Sequence, residues 1–118
     1  MAPKRRKPLT LEYVLTKLRY NRNTGTFAHL PRPVLGPKDR TWNTRYAGTL
    51  AGWVRDKGQR SYIMITLDDQ RYYAHHLVWL AETGQWPTQR IDHKNGDQSD
   101  NRFTNLRLCT QSQNCMNA

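Results

Sequence analysis

Ile91-Asp92-His93-Lys94-Asn95-Gly96-Asp97, running on through Asp100-Asn101-Arg102-Phe103-Thr104-Asn105-Leu106-Arg107-Leu108 to Asn114, decides how this chain is read. Arg90 to His93 reads as a short strand, and Asn95-Gly96 is a strong turn dipeptide. Asn101 to Asn105 reads as a compact loop with one helical turn, and Leu106 to Leu108 as a second strand. Thr110-Gln111-Ser112-Gln113 has the form of a capping box opening a terminal helix. Strand, loop, strand and helix in this order bring Asn114 back towards Asp92 and His93.

The residue types suit one chemistry. A carboxylate beside a titratable imidazole is what metal-assisted hydrolysis of a phosphodiester requires. Asp92 and the amide oxygen of Asn114 make an incomplete, oxygen-rich shell suited to Mg²⁺, which keeps waters and takes further ligands from phosphate oxygens. His93, with an ordinary pKa near 6.5, is the natural base for an attacking water. Asn105 is assigned to orienting that imidazole, with pinning of the loop as its other role. Neighbours in a regular strand point to opposite faces, so the strand is expected to end or twist at Asp92-His93.

Working outward, Leu11, Val14, Leu15 and Leu18 fall at helical spacing behind Thr10, a helix cap. Asn23-Thr24-Gly25 marks a turn, and Thr26 to Leu30 a short strand. Residues 31–46 carry Pro31, Pro33 and Pro37 among Arg32, Lys38, Arg40 and Arg45, and read as a long basic loop able to contact DNA. Gly48 to Val54, Tyr62 to Leu67 and Arg71 to Ala74 form an antiparallel meander, with a turn at Asp68-Asp69-Gln70. His75 to Glu82 is a helix stopped by Gly84. Of His75 and His76, one is expected under the core and the other exposed. His29 and the four tryptophans are read as packing residues.

The composition fits this reading. The 118 residues allow one domain with a modest core, 36% of them being hydrophobic. Nineteen Lys and Arg against nine Asp and Glu give a formal charge of +10, which points to a polyanionic partner. No long apolar run and no basic amphipathic helix suggest a membrane. Cys109 and Cys115, with no signal peptide ahead of them, are expected as thiols in a reducing cytosol.

From about Leu11 to Asn117 the chain resembles HNH endonucleases of the phage and homing type. The resemblance lies in Tyr72-Tyr-Ala-His-His-Leu-Val-Trp79, Gly84-Gln-Trp-Pro87, Ile91 to Asp97, Asp100 to Arg107 and Thr110 to Asn114. It extends more weakly to Tyr20-Asn-Arg-Asn-Thr-Gly-Thr-Phe27 and Ala47-Gly48. It implies an α+β fold, a small antiparallel sheet with helices and a C-terminal ββα-metal (HNH) finger. Residues 1–8 would be a basic disordered tail and 9–118 one nuclease domain: helix, basic loop and meander over 9–74, helix and metal finger over 75–118.

The resemblance implies His93 as general base, Asn105 as the central asparagine, and Asp92 and Asn114 as ligands of one divalent ion, Mg²⁺ with Mn²⁺ as substitute. His76 stands where an arginine often follows the first histidine. Lys4, Arg5, Arg6, Lys7, Lys38, Arg40, Arg45, His76, Arg102 and Arg107 are the candidate DNA contacts. The partner is double-stranded DNA, with no membrane, in a monomer or homodimer. The expected setting is the cytoplasm of a bacterial host, with a phage gene as the source. The competing reading is a DNA-binding module that keeps the fold without cutting.

Overall fold

The computed structural model describes residues 9–57 and 60–109. Lys4, Arg5, Arg6 and Lys7, the capping-box helix expected from Thr110, and Asn114 lie outside the described residues. What is described is a small α+β fold of three helices and three antiparallel sheets.

Thr10 caps α1 (Leu11–Lys17), its hydroxyl oxygen accepting the Tyr13 N–H at 3.2 Å. The helix stops one residue short of the expected apolar stripe. Leu18 is extended and opens β1 (Leu18–Asn21), where it is buried beside Val14, whereas Leu15 is 46% exposed. The stripe was therefore composite, half helix and half strand, and Leu15 does not belong to the core. β1 pairs with β2 (Thr26–His29), and β2 with β3 (Leu50–Ala51). Gly52, at φ 123°, then sends the chain into a second sheet of β4 (Trp53–Lys57), β5 (Arg60–Leu67) and β6 (Gln70–Tyr73). The expected single meander is thus split between two sheets. Asp68 and Asp69 both take positive φ at the β5–β6 turn, which matches the twist of a tight hairpin.

Residues 31–46 are not one long loop, because Pro37–Tyr46 form α2. The prolines that suggest a loop are compatible with the helix. Pro31 and Pro33 precede it, and Pro37 sits in its first turn, where a missing N–H costs nothing. Asp39 accepts the Leu35 N–H at 2.9 Å, and Asn43 bonds both backbone groups of Arg32 at 2.7 and 3.0 Å. These side-chain bonds fix a helix that buries no residue of its own.

α3 (Ala74–Thr83) closes on Gly84 in the left-handed conformation, with the Gly84 N–H on the Leu80 carbonyl at 2.8 Å. It lends Leu77, Val78 and Leu80 to a core that also holds Val14, Leu18, Phe27, Ile65, Ile91 and Leu106. All three sheets therefore share one interior. Tyr20 donates to Glu82 at 2.7 Å, tying β1 to α3, and the Trp86 indole donates to the Leu9 carbonyl at 2.8 Å. The third sheet is β7 (Arg90–His93) with β8 (Leu106–Cys109), joined through a single 3₁₀ turn at Phe103–Asn105. Cys109 is disulfide-bonded, which corrects the expectation of a thiol there. No helix among the described residues is long and apolar enough to cross a membrane.

The first hairpin also supports the loop after β7. Gly25 has φ +68°, and a Cβ on it would lie 2.2 Å from the Asn101 carbonyl carbon and 2.3 Å from the Arg102 nitrogen. Both partners are backbone and cannot yield cheaply. Gly48, at φ +83°, has nothing within 4 Å of the same position. Gly25→Ala should therefore lower the thermal midpoint by several degrees more than Gly48→Ala, which carries only the cost of positive φ. Equal melting curves for the two variants would show that the hairpin does not brace this loop.

Candidate functional site

The β7–β8 ladder pairs Asp92 with Arg107 and His93 with Leu106. Both Asp92 and His93 are buried, at 1% and 4% exposure. β7 ends at His93, as expected, and the two side chains line one cavity of about 180 Å³ with Tyr62, Tyr73, His75, His76 and Gln98.

Asp92 Oδ2 accepts a hydrogen bond from Arg107 Nε at 2.9 Å and forms an ion pair with Nη2 at 2.8 Å. Its Oδ1 is buried and has no hydrogen-bond partner among the described residues. A buried carboxylate without a counter-charge costs several kcal/mol, and Arg107 supplies that counter-charge. Half of the carboxylate is left for something else.

The imidazole of His93 is held by Asn101, with 2.7 Å between Nε2 and the amide Oδ1. An amide oxygen only accepts, so Nε2 is the donor in this bond. Edge-on contact with His75, at 4.9 Å between ring centroids, restrains the ring laterally, and Tyr73 stacks on the other side of His75 at 5.0 Å.

Asn105 does not touch the imidazole. Its Oδ1 accepts the Asn95 N–H at 3.1 Å, and its Nδ2 donates to Asn95 Oδ1 at 3.0 Å and to the Asp100 carbonyl at 2.9 Å. Those bonds use both amide protons. Its backbone carbonyl accepts the Lys94 N–H at 2.8 Å. Of its two expected roles, these bonds match pinning the loop and not orienting the base. Asn101, 2% exposed, is the residue that the reading of the sequence missed. It stands inside Asp100-Asn-Arg-Phe-Thr-Asn-Leu, but its type and position do not distinguish it from Asn105.

The other expected residues are dispersed. Arg102 makes a two-point pair with Asp100 at 2.8 and 2.7 Å, which holds the Asp100 carboxyl down to about 2. Arg107 is committed to Asp92, so neither guanidinium stands unpaired for DNA. His76 is half-buried at the cavity, and burial lowers its pKa. Lys38, Arg40 and Arg45 are exposed on α2. His29 packs against Trp42 and Tyr46, in keeping with its expected packing role. A larger cavity of about 480 Å³ lies beside α2, lined by Lys17, His29, Arg32, Asp39, Trp42 and Asp68 among others. It has no buried carboxylate beside a buried imidazole, so the smaller cavity is the candidate site.

Three buried side-chain polar atoms have no hydrogen-bond partner among the described residues: Asp92 Oδ1, His75 Nδ1 and Gln98 Oε1. All three belong to residues lining the same cavity. Native interiors leave few such atoms unpaired, and two of these are oxygens of the kind that hard divalent cations prefer. No cluster of three or more His, Cys, Asp or Glu side chains suited to a metal occurs among the described residues. The donor set thus fits an ion held by one carboxylate and neutral oxygens.

Burial, with smaller contributions from His76 and His93, pushes the His75 pKa down to about 3. The folded protein therefore keeps this ring neutral, while the unfolded chain protonates it near 6.5. Between those values the unfolded state binds more protons, so stability is full above pH 6.5 and falls as pH drops towards 3. The Asp100 contribution is lost only below the ordinary carboxylate range, in a lower window. In metal-free buffer, His75→Gln should flatten the loss of stability between pH 6.5 and 4, read from urea midpoints. An unchanged pH profile would mean that His75 is not held neutral by the fold.

Residues 72–116 match the family model described as HNH endonuclease. No curated protein and no solved structure matches the chain. The matched span contains the buried carboxylate, the held imidazole and the asparagine-pinned loop, and it is in this segment that the chain is similar to HNH endonucleases.

Proposed function

We propose that the protein is a metal-dependent endonuclease that hydrolyses phosphodiester bonds in double-stranded DNA. The observation that carries this reading is the 2.7 Å bond from His93 Nε2 to Asn101, beside a buried Asp92 with one unpartnered oxygen in the same cavity. It supports His93 as general base, with Nδ1 taking the proton of the attacking water and Asn101 stabilising the ring as it gains charge. Asn105 acts through the loop, keeping Asn101 and Asn95 in place.

Asp92 Oδ1 and Asn114 would hold one divalent ion, Mg²⁺ or Mn²⁺, with Gln98, which lines the same cavity, as a further oxygen donor to the ion or its water. Such an ion supplies charge stabilisation to the scissile phosphate and the departing 3′-oxygen. Arg107 fixes the rotamer of Asp92 and leaves Oδ1 directed elsewhere. Residues 9–118 work as one nuclease unit, in which residues 75–118 carry the C-terminal ββα finger. The formal charge of +10 supports a polyanionic substrate.

A DNA-binding module without cutting is the competing reading. It leaves Asp92 Oδ1, His75 Nδ1 and Gln98 Oε1 buried without use, a cost that binding alone does not require.

Supercoiled plasmid should be nicked or cut in Mg²⁺ or Mn²⁺ and left intact in EDTA; equal activity in EDTA would sink the metal mechanism. His93→Ala should slow cleavage by roughly 10²–10⁴, the worth of a positioned general base, with DNA affinity retained. Asp92→Asn should instead raise the Mg²⁺ concentration needed for half-maximal rate. If His93→Ala cut at the wild-type rate, the base is another group.

A further inference from the structure

α2 is the one helix of the described residues that buries nothing, and its side chains divide by direction, with Arg45 the one that also touches the other arc, its guanidinium 5.9 Å from the centre of the Tyr46 ring. Successive helical residues advance by about 100°, which puts Asp39, Trp42, Asn43 and Tyr46 on one arc. Each is engaged with the body of the protein. Asp39 caps Leu35 and Asn43 clasps the Arg32 backbone. Trp42 packs on His29 and lies 4.1 Å from the Arg32 guanidinium, and Tyr46 packs on Trp42 and His29. The opposite arc carries Lys38, Arg40, Thr41, Thr44 and Arg45, all exposed. It holds three cations and no acid, since the helix's only carboxylate, Asp39, is turned inward.

We propose that α2 lies in the major groove of duplex DNA and reads base edges through Arg40 and Arg45, making this helix a determinant of sequence preference. The inference rests on the DNA-cutting reading and goes further, because hydrolysis at the proposed site requires no sequence reading at all. The major groove, about 12 Å wide, admits an α-helix, and an arginine on its floor pairs with the O6 and N7 of guanine. Thr41 and Thr44 satisfy their hydroxyl protons on the Pro37 and Arg40 carbonyls, so they offer oxygens and methyl groups to base edges. The anchored arc removes a cost that a free basic arm would carry, since the helix is already ordered before binding. Charge selects the occupant. Val34 and Leu35 are exposed just ahead of the helix, but two side chains do not make the continuous apolar patch that a protein or lipid partner needs.

The test uses the full-length chain and a pool of duplexes with a randomised window, bound in EDTA so that no strand is cut, then recovered and sequenced. Wild-type protein should enrich a motif containing guanine. Arg40→Gln/Arg45→Gln, whose exposed positions should leave the melting curve unchanged, should lose preference at the guanine positions by roughly 5- to 100-fold. An unchanged motif with evenly weakened binding would overturn the inference, because the arginines would then touch only phosphates. Wild-type protein that binds without enriching any motif, or that prefers anionic vesicles to duplex, would overturn it too. Plasmid cleavage in Mg²⁺, run alongside, separates the two readings. Cutting with an unchanged motif refutes the helix alone, and a lost motif without cutting refutes the nuclease alone. Failure to bind duplex refutes both.

Discussion

The hydrogen bond from His93 Nε2 to the buried amide oxygen of Asn101 is the constraint on which the site depends. It determines which ring nitrogen is basic, and it works only if Asn101 cannot move. The fold supplies that rigidity from two directions. Within the loop, Asn105 uses its amide oxygen and both amide protons to tie Asn95 and Asp100 together. From outside, Gly25 of the first hairpin touches the Asn101 backbone so closely that no side chain fits between them. The N-terminal hairpin, remote in sequence, is therefore part of what positions His93.

Asp92 shows a different compromise. A fully buried carboxylate is unfavourable, and Arg107 offsets that with a hydrogen bond and an ion-pair contact on a single oxygen. Using one oxygen rather than both leaves Oδ1 unpaired in a cavity that also holds unpaired Gln98 and His75 atoms. A structure optimised for stability alone would pair these atoms or replace them with apolar groups. The arrangement suits a site waiting for a cation and a phosphate, and it explains why an arginine expected on DNA is found on a carboxylate.

Much of this was legible in the sequence for local reasons. The β7 strand, the Asn95-Gly96 turn and the 3₁₀ turn before β8 follow from short-range chemistry, and the Gly84 stop of α3 does as well. Asp92 and His93 stood out because a carboxylate beside an imidazole is rare without purpose. The misses were tertiary. Leu18 continued a helical spacing but was captured by a strand partner, His29. α2 was hidden by its prolines and is held by side-chain bonds to Arg32 and Leu35 that no periodicity reveals. Asn101 and Asn105 are the same residue type four positions apart, and only the folded loop decides which one reaches His93. Of His75 and His76, one was expected under the core and the other exposed; His75 is buried and also packs edge-on against His93, while His76 is half-buried rather than exposed.

The most direct test of the account is the protonation pattern of His93, read from ring ¹⁵N shifts and long-range ¹H–¹⁵N couplings in metal-free protein at neutral pH. The account predicts a single tautomer with the proton on Nε2 and a pyridine-like Nδ1, giving way to a tautomer mixture in Asn101→Ala. A wild-type ring protonated on Nδ1, or a wild-type pattern that persists in Asn101→Ala, would contradict it.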